Sequence, residues 1–371
     1  MAQGVARVSE ADGLARHLQE RIAAEGPIGV DAFMEAALFD PRWGFYANRD
    51  PLGARGDFIT APEVSQVFGE LIGLWLADLW QRTGAPEPLI LAELGPGRGT
   101  LLADALRAAR AVPGFRRAAR LHLVERSPVL RRRQAEVLGD AAPEWHTDFA
   151  SLPPGPLFLV ANEFLDALPV RQFVRLGDGW HERRVGWRAG RFVFVTASSP
   201  CRDHAIPAAL ADAPLGSLCE TRPAAAALAH ALGARLAASG GAALLVDYGH
   251  VASACGDTLQ AVRRHRTHAV LDEPGTADLT AHVDFAAFAA AAVAAGVKAW
   301  GPVAQGAFLR ALGIVARTEA LTAAARPEQA RLLASGTRRL VDPAAMGGMF
   351  KVLALTHRDA PAAAGFDVGE R

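Results

Sequence analysis

The chain predicts an α/β fold built on a doubly wound, mostly parallel sheet, and three observations carry that expectation. The first is Leu89-Ile90-Leu91-Ala92-Glu93-Leu94-Gly95-Pro96-Gly97-Arg98-Gly99-Thr100, an apolar run that breaks into three alternate glycines. A buried parallel strand reads this way, and the glycines mark where it turns sharply into a helix, here one with Leu101, Leu102, Ala105 and Leu106 at helical spacing. The second is the recurrence of short apolar runs separated by helical patterns along most of the chain. The third is composition. At 371 residues and 51% hydrophobic the chain can fill a sizeable core, and 39 basic against 39 acidic residues leave no net charge to draw it to nucleic acid or an anionic membrane.

Residues 1–85 precede the glycine loop and read as a helical extension with a long loop. Leu14, Leu18 and Ile22 form one face of a first helix; Asp31 caps a second that carries Phe33, Met34, Ala37 and Leu38 and stops at Asp40-Pro41. From Arg42 to Pro62 the chain is rich in Gly, Pro and aromatics without a helical or strand period, which suggests a functional loop. Thr60 with Glu63 three residues on reads as a capping box, so a long helix is expected from about Ala61 to Arg82. Its apolar face runs from Val64 to Trp80; Glu63 and Glu70, seven apart, fall on similar sides, and Glu70 reads as a solvent-facing carboxylate.

The glycine loop discriminates between cofactors. A dinucleotide fingerprint needs a glycine at position 100, where this chain has Thr100. An acid within the preceding strand, Glu93, would repel a phosphate but attract the amino group and sulfonium of S-adenosylmethionine (SAM). The glycines Gly95, Gly97 and Gly99 allow positive φ and close backbone approach, and Thr100 opens the helix. Arg120 to Val124 reads as the second strand and ends in Glu125, placed to accept hydrogen bonds from the ribose hydroxyls of an adenosine cofactor; Ser127-Pro128 starts the next helix. Trp145 to Phe149 is a short third strand, with Asp148 near an adenine amino group.

Leu157 to Ala161 is the fourth strand and runs into Asn162-Glu163-Phe164-Leu165-Asp166. Ligands of open α/β sheets sit beyond the carboxyl ends of the strands, so Asn162 and Glu163 should face the reactive end of the cofactor. Arg171 to Thr196 alternates as an antiparallel meander. Ala242 to Gly249 is the fifth strand, with Asp247 at its carboxyl end; Val297 to Val303 is the sixth, residues 305–345 return to helix, and Phe350 to Leu355 is the last. Seven strands in this order match the architecture of class I SAM-dependent methyltransferases, a Rossmann-like sheet. The expected organisation is an extension over 1–85, a methyltransferase domain over 86–357 with insertions at about 171–220 and 305–345, and a frayed tail over 358–371.

Three cysteines lie far apart without a C-x-x-C pair, and eleven histidines are scattered without H-E-x-x-H, so no metal is expected. No signal peptide is legible, and the longest apolar tract is too short to suggest a membrane span. The basic clusters Arg131-Arg132-Arg133 and Arg263-Arg264-His265-Arg266 are short enough to be solvated faces.

Longer stretches of the chain resemble the MidA-like methyltransferases, a family that includes a mitochondrial complex I assembly factor acting as a protein arginine methyltransferase. They include Gly26-Pro27-Ile28, Trp43-Gly44-Phe45-Tyr46, Gly56-Asp57-Phe58-Ile59-Thr60, Glu93 to Thr100, Asn162 to Pro169, Asp247-Tyr248-Gly249-His250, Asp278 to Phe285 and Met346 to Leu353. The resemblance implies a SAM site at Gly95, Gly97, Gly99 and Glu125, and methyl transfer to a protein arginine, symmetrically dimethylated in the mitochondrial member. Cys219-Glu220-Thr221-Arg222-Pro223 is more basic than expected there. Without a transit peptide the chain resembles a bacterial cytoplasmic member.

A guanidinium must be held and aimed, and carboxylates are its natural clamp. The expectation is that Glu163, with Asp166 or Asp247, holds it, while Asp57, Phe58 and Thr60 lie on a loop that closes over the cofactor. The alternatives are a methyltransferase for a small molecule or another protein side chain, and a SAM-binding assembly scaffold without catalysis. A nicotinamide oxidoreductase fits least, given Thr100 and Glu93.

Overall fold

Parallel strands buried on both faces read as continuous apolar runs, and the run from Leu89 to Leu94 forms such a strand with all six residues buried. The computed structural model describes residues 10–47, 49–51, 53, 56–57, 59–201 and 206–367. Its main sheet contains β1 (Leu89–Leu94), β2 (Ala119–Val124), β3 (Glu144–His146), β4 (Leu157–Asn162), β5 (Gly241–His250), β6 (Lys298–Ala304) and β7 (Phe350–Thr356). They lie in the order β6-β7-β5-β4-β1-β2-β3, with a two-residue strand, Val283–Asp284, beside the end of β5. The pairs from β5 to β3 are parallel, and β7 runs antiparallel between β5 and β6. This is the class I methyltransferase sheet. The third strand starts one residue before the expected range and ends at His146, because Phe149–Ser151 winds into a 3-10 turn instead.

The chain divides into two compact units, and the division departs from the expected one. One comprises Met1–Phe58, Ala167–Ala224 and Ala254–Ala281; the other comprises Ile59–Asp166, Ala225–Ser253 and His282–Arg371. The N-terminal boundary thus falls at residue 58 rather than 85. In the first unit, the helices Glu10–Glu25 and Val30–Phe39 share a core with the meander through Leu14, Leu18, Phe33, Met34, Val185 and Phe192. The meander strands are Arg171–Leu176, Gly179–Arg188 and Arg191–Thr196, and Leu218–Thr221 extends their sheet. A further small sheet of Gln260–Arg263, Arg266–His268 and Asp278–Thr280 had no distinct pattern in the sequence.

In the second unit, the expected helix over 61–82 is two helices, α1 (Ala61–Val64) and α2 (Gln66–Arg82). The chain is extended at Ser65, whose hydroxyl accepts the Val67 N–H and starts α2 afresh. Thr60 makes no side-chain cap, so the expected capping box is absent. α2 packs against α3 (Thr100–Ala108) so closely that a Cβ at Gly73 would meet the Ala105 backbone.

Glu70 is buried rather than solvent-facing. It lies 3.0 Å from Arg107 and 2.7 Å from Arg317. Burial pushes its carboxyl up, but the Arg317 and Arg107 guanidinium groups outweigh this and hold it below the usual range. The tail expected to fray from residue 358 is packed as far as Phe366, whose ring lies 5.2 Å from that of Phe308, and Trp75 donates to the Ala364 carbonyl. Residues 368–371 lie outside the described residues. Among the described residues no helix is long and apolar enough to cross a membrane.

Candidate active site

The carboxyl ends of β1, β2, β4 and β5 gather most of the residues singled out from the sequence. After β1 the chain turns through Gly95, Gly97 and Gly99 at φ of +62°, +53° and +85°, a region that side chains with a Cβ enter at a cost. A Cβ at Gly95 would sit 2.8 Å from the Phe164 ring, and Gly99 is the left-handed N-cap of α3. Thr100 follows at the first helical position and donates its hydroxyl to Glu63 Oε1 at 2.5 Å, while Arg98 lies 3.7 Å from the other oxygen. Glu63 therefore braces the loop rather than capping its own helix.

Glu93 is 2% exposed, and its Oε2 is buried without a hydrogen-bond partner among the described residues. Burial pushes its carboxyl up to about 8. Asn162, at the end of neighbouring β4, buries an equally unpartnered Oδ1. Two orphaned acceptors at adjacent strand ends are costly in isolation and fit a bound cationic donor such as an ammonium group.

Glu125 ends β2, 9% exposed, with Oε1 accepting the Ser127 N–H and Oε2 accepting from Gln134 Nε2. Burial raises its pKa, with those two donors opposing. Gln134 went unnoticed in the sequence. It is fully buried on α4 (Pro128–Leu138), where Nε2 also reaches the Gly97 carbonyl at 2.8 Å and Oε1 accepts from Trp145 Nε1. The available signal was a polar residue at i+4 from Leu130 and i−4 from Leu138, on the apolar stripe of its helix.

Beyond β4 the structure corrects the assignment of acids. Glu163 has a φ of +50°, unusual for a residue with a side chain. Its Oε1 accepts from the Ala61 N–H at 2.9 Å and the Asn162 amide at 3.2 Å, while Oε2 takes no hydrogen bond among the described residues. Its dense surroundings push the carboxyl up to about 7, chiefly by burial, with Asp166 adding to the rise and the Ala61 N–H opposing it. Asp247, expected to help clamp a substrate, is 1% exposed and has both oxygens engaged by the backbone. Its Oδ2 accepts from the N–H groups of Phe164, Leu165 and Asp166 at 2.9–3.2 Å, and Oδ1 from that of Tyr248. It holds the turn that presents Glu163. Asp166 is also buried and accepts the Tyr248 hydroxyl at 2.5 Å.

Asp148 is exposed and caps the 3-10 turn through the Ser151 N–H. Asp57, in the other unit, accepts the Arg264 N–H at 2.7 Å, and its carbonyl accepts that of His265; both donors have positive φ at the tip of a hairpin. Thr60 precedes α1, and Phe58 lies outside the described residues.

The family model described as "Putative S-adenosyl-L-methionine-dependent methyltransferase" matches residues 71–303. The Drosophila melanogaster protein arginine methyltransferase NDUFAF7 homolog is 38% identical over 92% of this chain and 84% of its own length. Human mitochondrial protein arginine methyltransferase NDUFAF7 is 36% identical over 92% and 82%. A Burkholderia thailandensis protein crystallised with S-adenosyl-homocysteine superposes with a TM-score of 0.84 at 31% identity, covering 100% of this chain and 98% of that one. The chain belongs to the family of SAM-dependent methyltransferases and is an enzyme of that class with SAM as its cofactor.

Proposed function

We propose that this enzyme methylates arginine side chains of a protein substrate, with Glu163 as the acid that receives the guanidinium. The observation that carries the reading is the geometry of Glu163: one oxygen is fixed by two donors, and the other has no hydrogen-bond partner among the described residues just past the end of β4. The names of its relatives, protein arginine methyltransferases, support the same acceptor.

In this reading Glu93 Oε2 and Asn162 Oδ1 hold the cofactor's ammonium group, Glu125 holds the ribose, and the Gly95–Gly99 turn admits the backbone to close approach. The bound cofactor supplies a methyl group activated on a sulfonium. Glu163 would hold and orient one guanidinium nitrogen toward the place of the cofactor's methyl group. That nitrogen must also lose a proton, and a carboxyl at about 7 is suited to accept it at Oε2 near neutral pH. A guanidinium in the site favours the ionised carboxylate, which raises the fraction ready to act. Asp247 and Tyr248 keep the turn in place.

The test is identification of the methylated product. Purified enzyme with methyl-labelled SAM and an arginine-rich protein fraction should yield labelled methylarginines after acid hydrolysis, and Glu163→Gln should abolish the label. Label recovered only in a small molecule or in another amino acid would overturn the acceptor.

A further inference from the structure

A second group of ligating side chains lies on the β2–β3 edge of the sheet, separate from the acids described above. His122 Nδ1 is 3.0 Å from His146 Nε2 and 3.9 Å from Glu144 Oε2. The register brings them together: His122 pairs with Glu144 and Val124 with His146, so Glu144 and His146, two apart on β3, share the face that carries His122. Sequence spacing hid the group because it is split between two strands. Among the described residues no other three His, Cys, Asp or Glu side chains meet in this way.

We propose that His122, Glu144 and His146 bind a zinc-class divalent cation, and that this ion tunes SAM binding by fastening the edge strand to β2. Two imidazole nitrogens and one carboxylate are a donor set for zinc or its first-row neighbours, whereas calcium and magnesium favour all-oxygen sites. Metal–ligand bonds of about 2.0–2.1 Å in a tetrahedral site set donor atoms roughly 3.3–3.4 Å apart. The observed 3.0 and 3.9 Å bracket that spacing, and the three donor atoms all lie within 4.8 Å of one another, so side-chain adjustments bring them to it without moving the strands. A water completes the four. Glu144 is 75% exposed and offers the entry path, whereas His122 is 4% exposed and fixed by the sheet.

The route to the cofactor site runs through β3, a three-residue edge strand with a single neighbour. Trp145, between the two β3 ligands, points to the opposite face and donates to Gln134. Gln134 in turn holds Glu125 Oε2 and the Gly97 carbonyl. The His146 carbonyl accepts the Glu125 N–H at 3.0 Å and an Arg131 N–H at 3.0 Å. An ion that fixes β3 therefore fixes both the acid proposed to hold the ribose and the glycine turn.

The experiment uses full-length protein stripped with a chelator, titrated calorimetrically with zinc chloride and, separately, with cobalt chloride read by absorption. One zinc per chain is expected, with the intense visible bands of four-coordinate cobalt, and magnesium chloride should give no binding. Glu144→Gln, a surface change that leaves the core alone, should weaken zinc by about tenfold or more, and His146→Gln by more. Equal zinc affinity in both variants, or no binding to the folded wild type, would overturn the site. SAM affinity should differ about fivefold or more between zinc-loaded and stripped wild type and not in Glu144→Gln; an unchanged affinity on loading would overturn the coupling. That second arm rests on the cofactor assignment. Absence of SAM binding in both forms would count against the assignment, while the zinc titration would still decide the metal site.

Discussion

Two turns at the carboxyl ends of neighbouring strands solve the same backbone problem by different means. After β1 the chain must enter the left-handed region, and Gly95 does so without a Cβ to oppose it. After β4 it must do so again, and the residue there is Glu163, for which the left-handed region costs about 1–2 kcal/mol. Asp247 offsets that cost by accepting three consecutive backbone N–H groups of the turn. The first turn needs no side chain of its own, and its glycines leave the backbone free for close approach. The second must carry a reactive side chain, so its conformation is imposed from the next strand.

That contrast is broken most severely at the glycine turn. Gly97→Val places a branched side chain at a φ of +53°, and SAM affinity should fall more than about a hundredfold, as read by calorimetry on a protein that still unfolds cooperatively. Retained affinity would mean that the cofactor does not rely on this turn.

Glu163→Gln is expected to act on the other half alone. Methyl transfer should drop by about a hundredfold or more with the SAM dissociation constant within about threefold of wild type. A matching loss of SAM affinity would place Glu163 with the cofactor instead of the acceptor.

Asp247→Asn tests how the second turn is held. An amide NH2 would face backbone donors, so urea unfolding should show a loss of about 2–3 kcal/mol, with kcat reduced more than SAM affinity. Unchanged stability would show that the turn keeps its shape without this carboxylate.

A fourth test is one of pH and concerns Glu93. Its folded pKa of about 8 lies above its ordinary value of 4.5, so between those values the folded chain holds a proton that the unfolded chain has released. Its contribution to stability is complete below pH 4.5 and is lost as pH rises through about 8, at a slope of up to about 1.4 kcal/mol per pH unit. Thermal unfolding of the cofactor-free protein should therefore decline over this window, and Glu93→Gln should flatten the decline. Parallel declines in the two proteins would remove the protonated Glu93. Binding of an ammonium group to the same carboxyl should also release close to one proton at neutral pH, measurable by titration in buffers of different ionisation enthalpy.

How legible these features were depended on how local their causes are. The strand, glycine turn and helix from Leu89 to Ala108 could be read directly because apolar runs, left-handed glycines and helical spacing are properties of consecutive residues. Glu125 could be placed for the same reason, since it ends a strand just before a Ser-Pro helix start. The break at Ser65 was missed because a capping pattern at Thr60 was equally good locally, and Glu63 is claimed by Thr100 on another helix. Glu70 looked solvent-facing because its two arginine partners are 37 and 247 residues away.

By itself the sequence determined the order of the seven strands, the cofactor turn and the acids near it, since each follows from hydrophobic period and backbone freedom over a few residues. Tertiary structure alone decided which acids are open and which are committed. Asp247 reads like Glu163 as an acid at a strand end, yet one is filled with backbone donors and the other keeps an oxygen without a hydrogen bond among the described residues. Gln134 and the His122–His146 pair likewise acquire partners only when helices and strands distant in the chain are laid side by side. Burial and hydrogen bonding, which set the charge and reach of a carboxyl, are properties of the packed neighbourhood and have no local period to read.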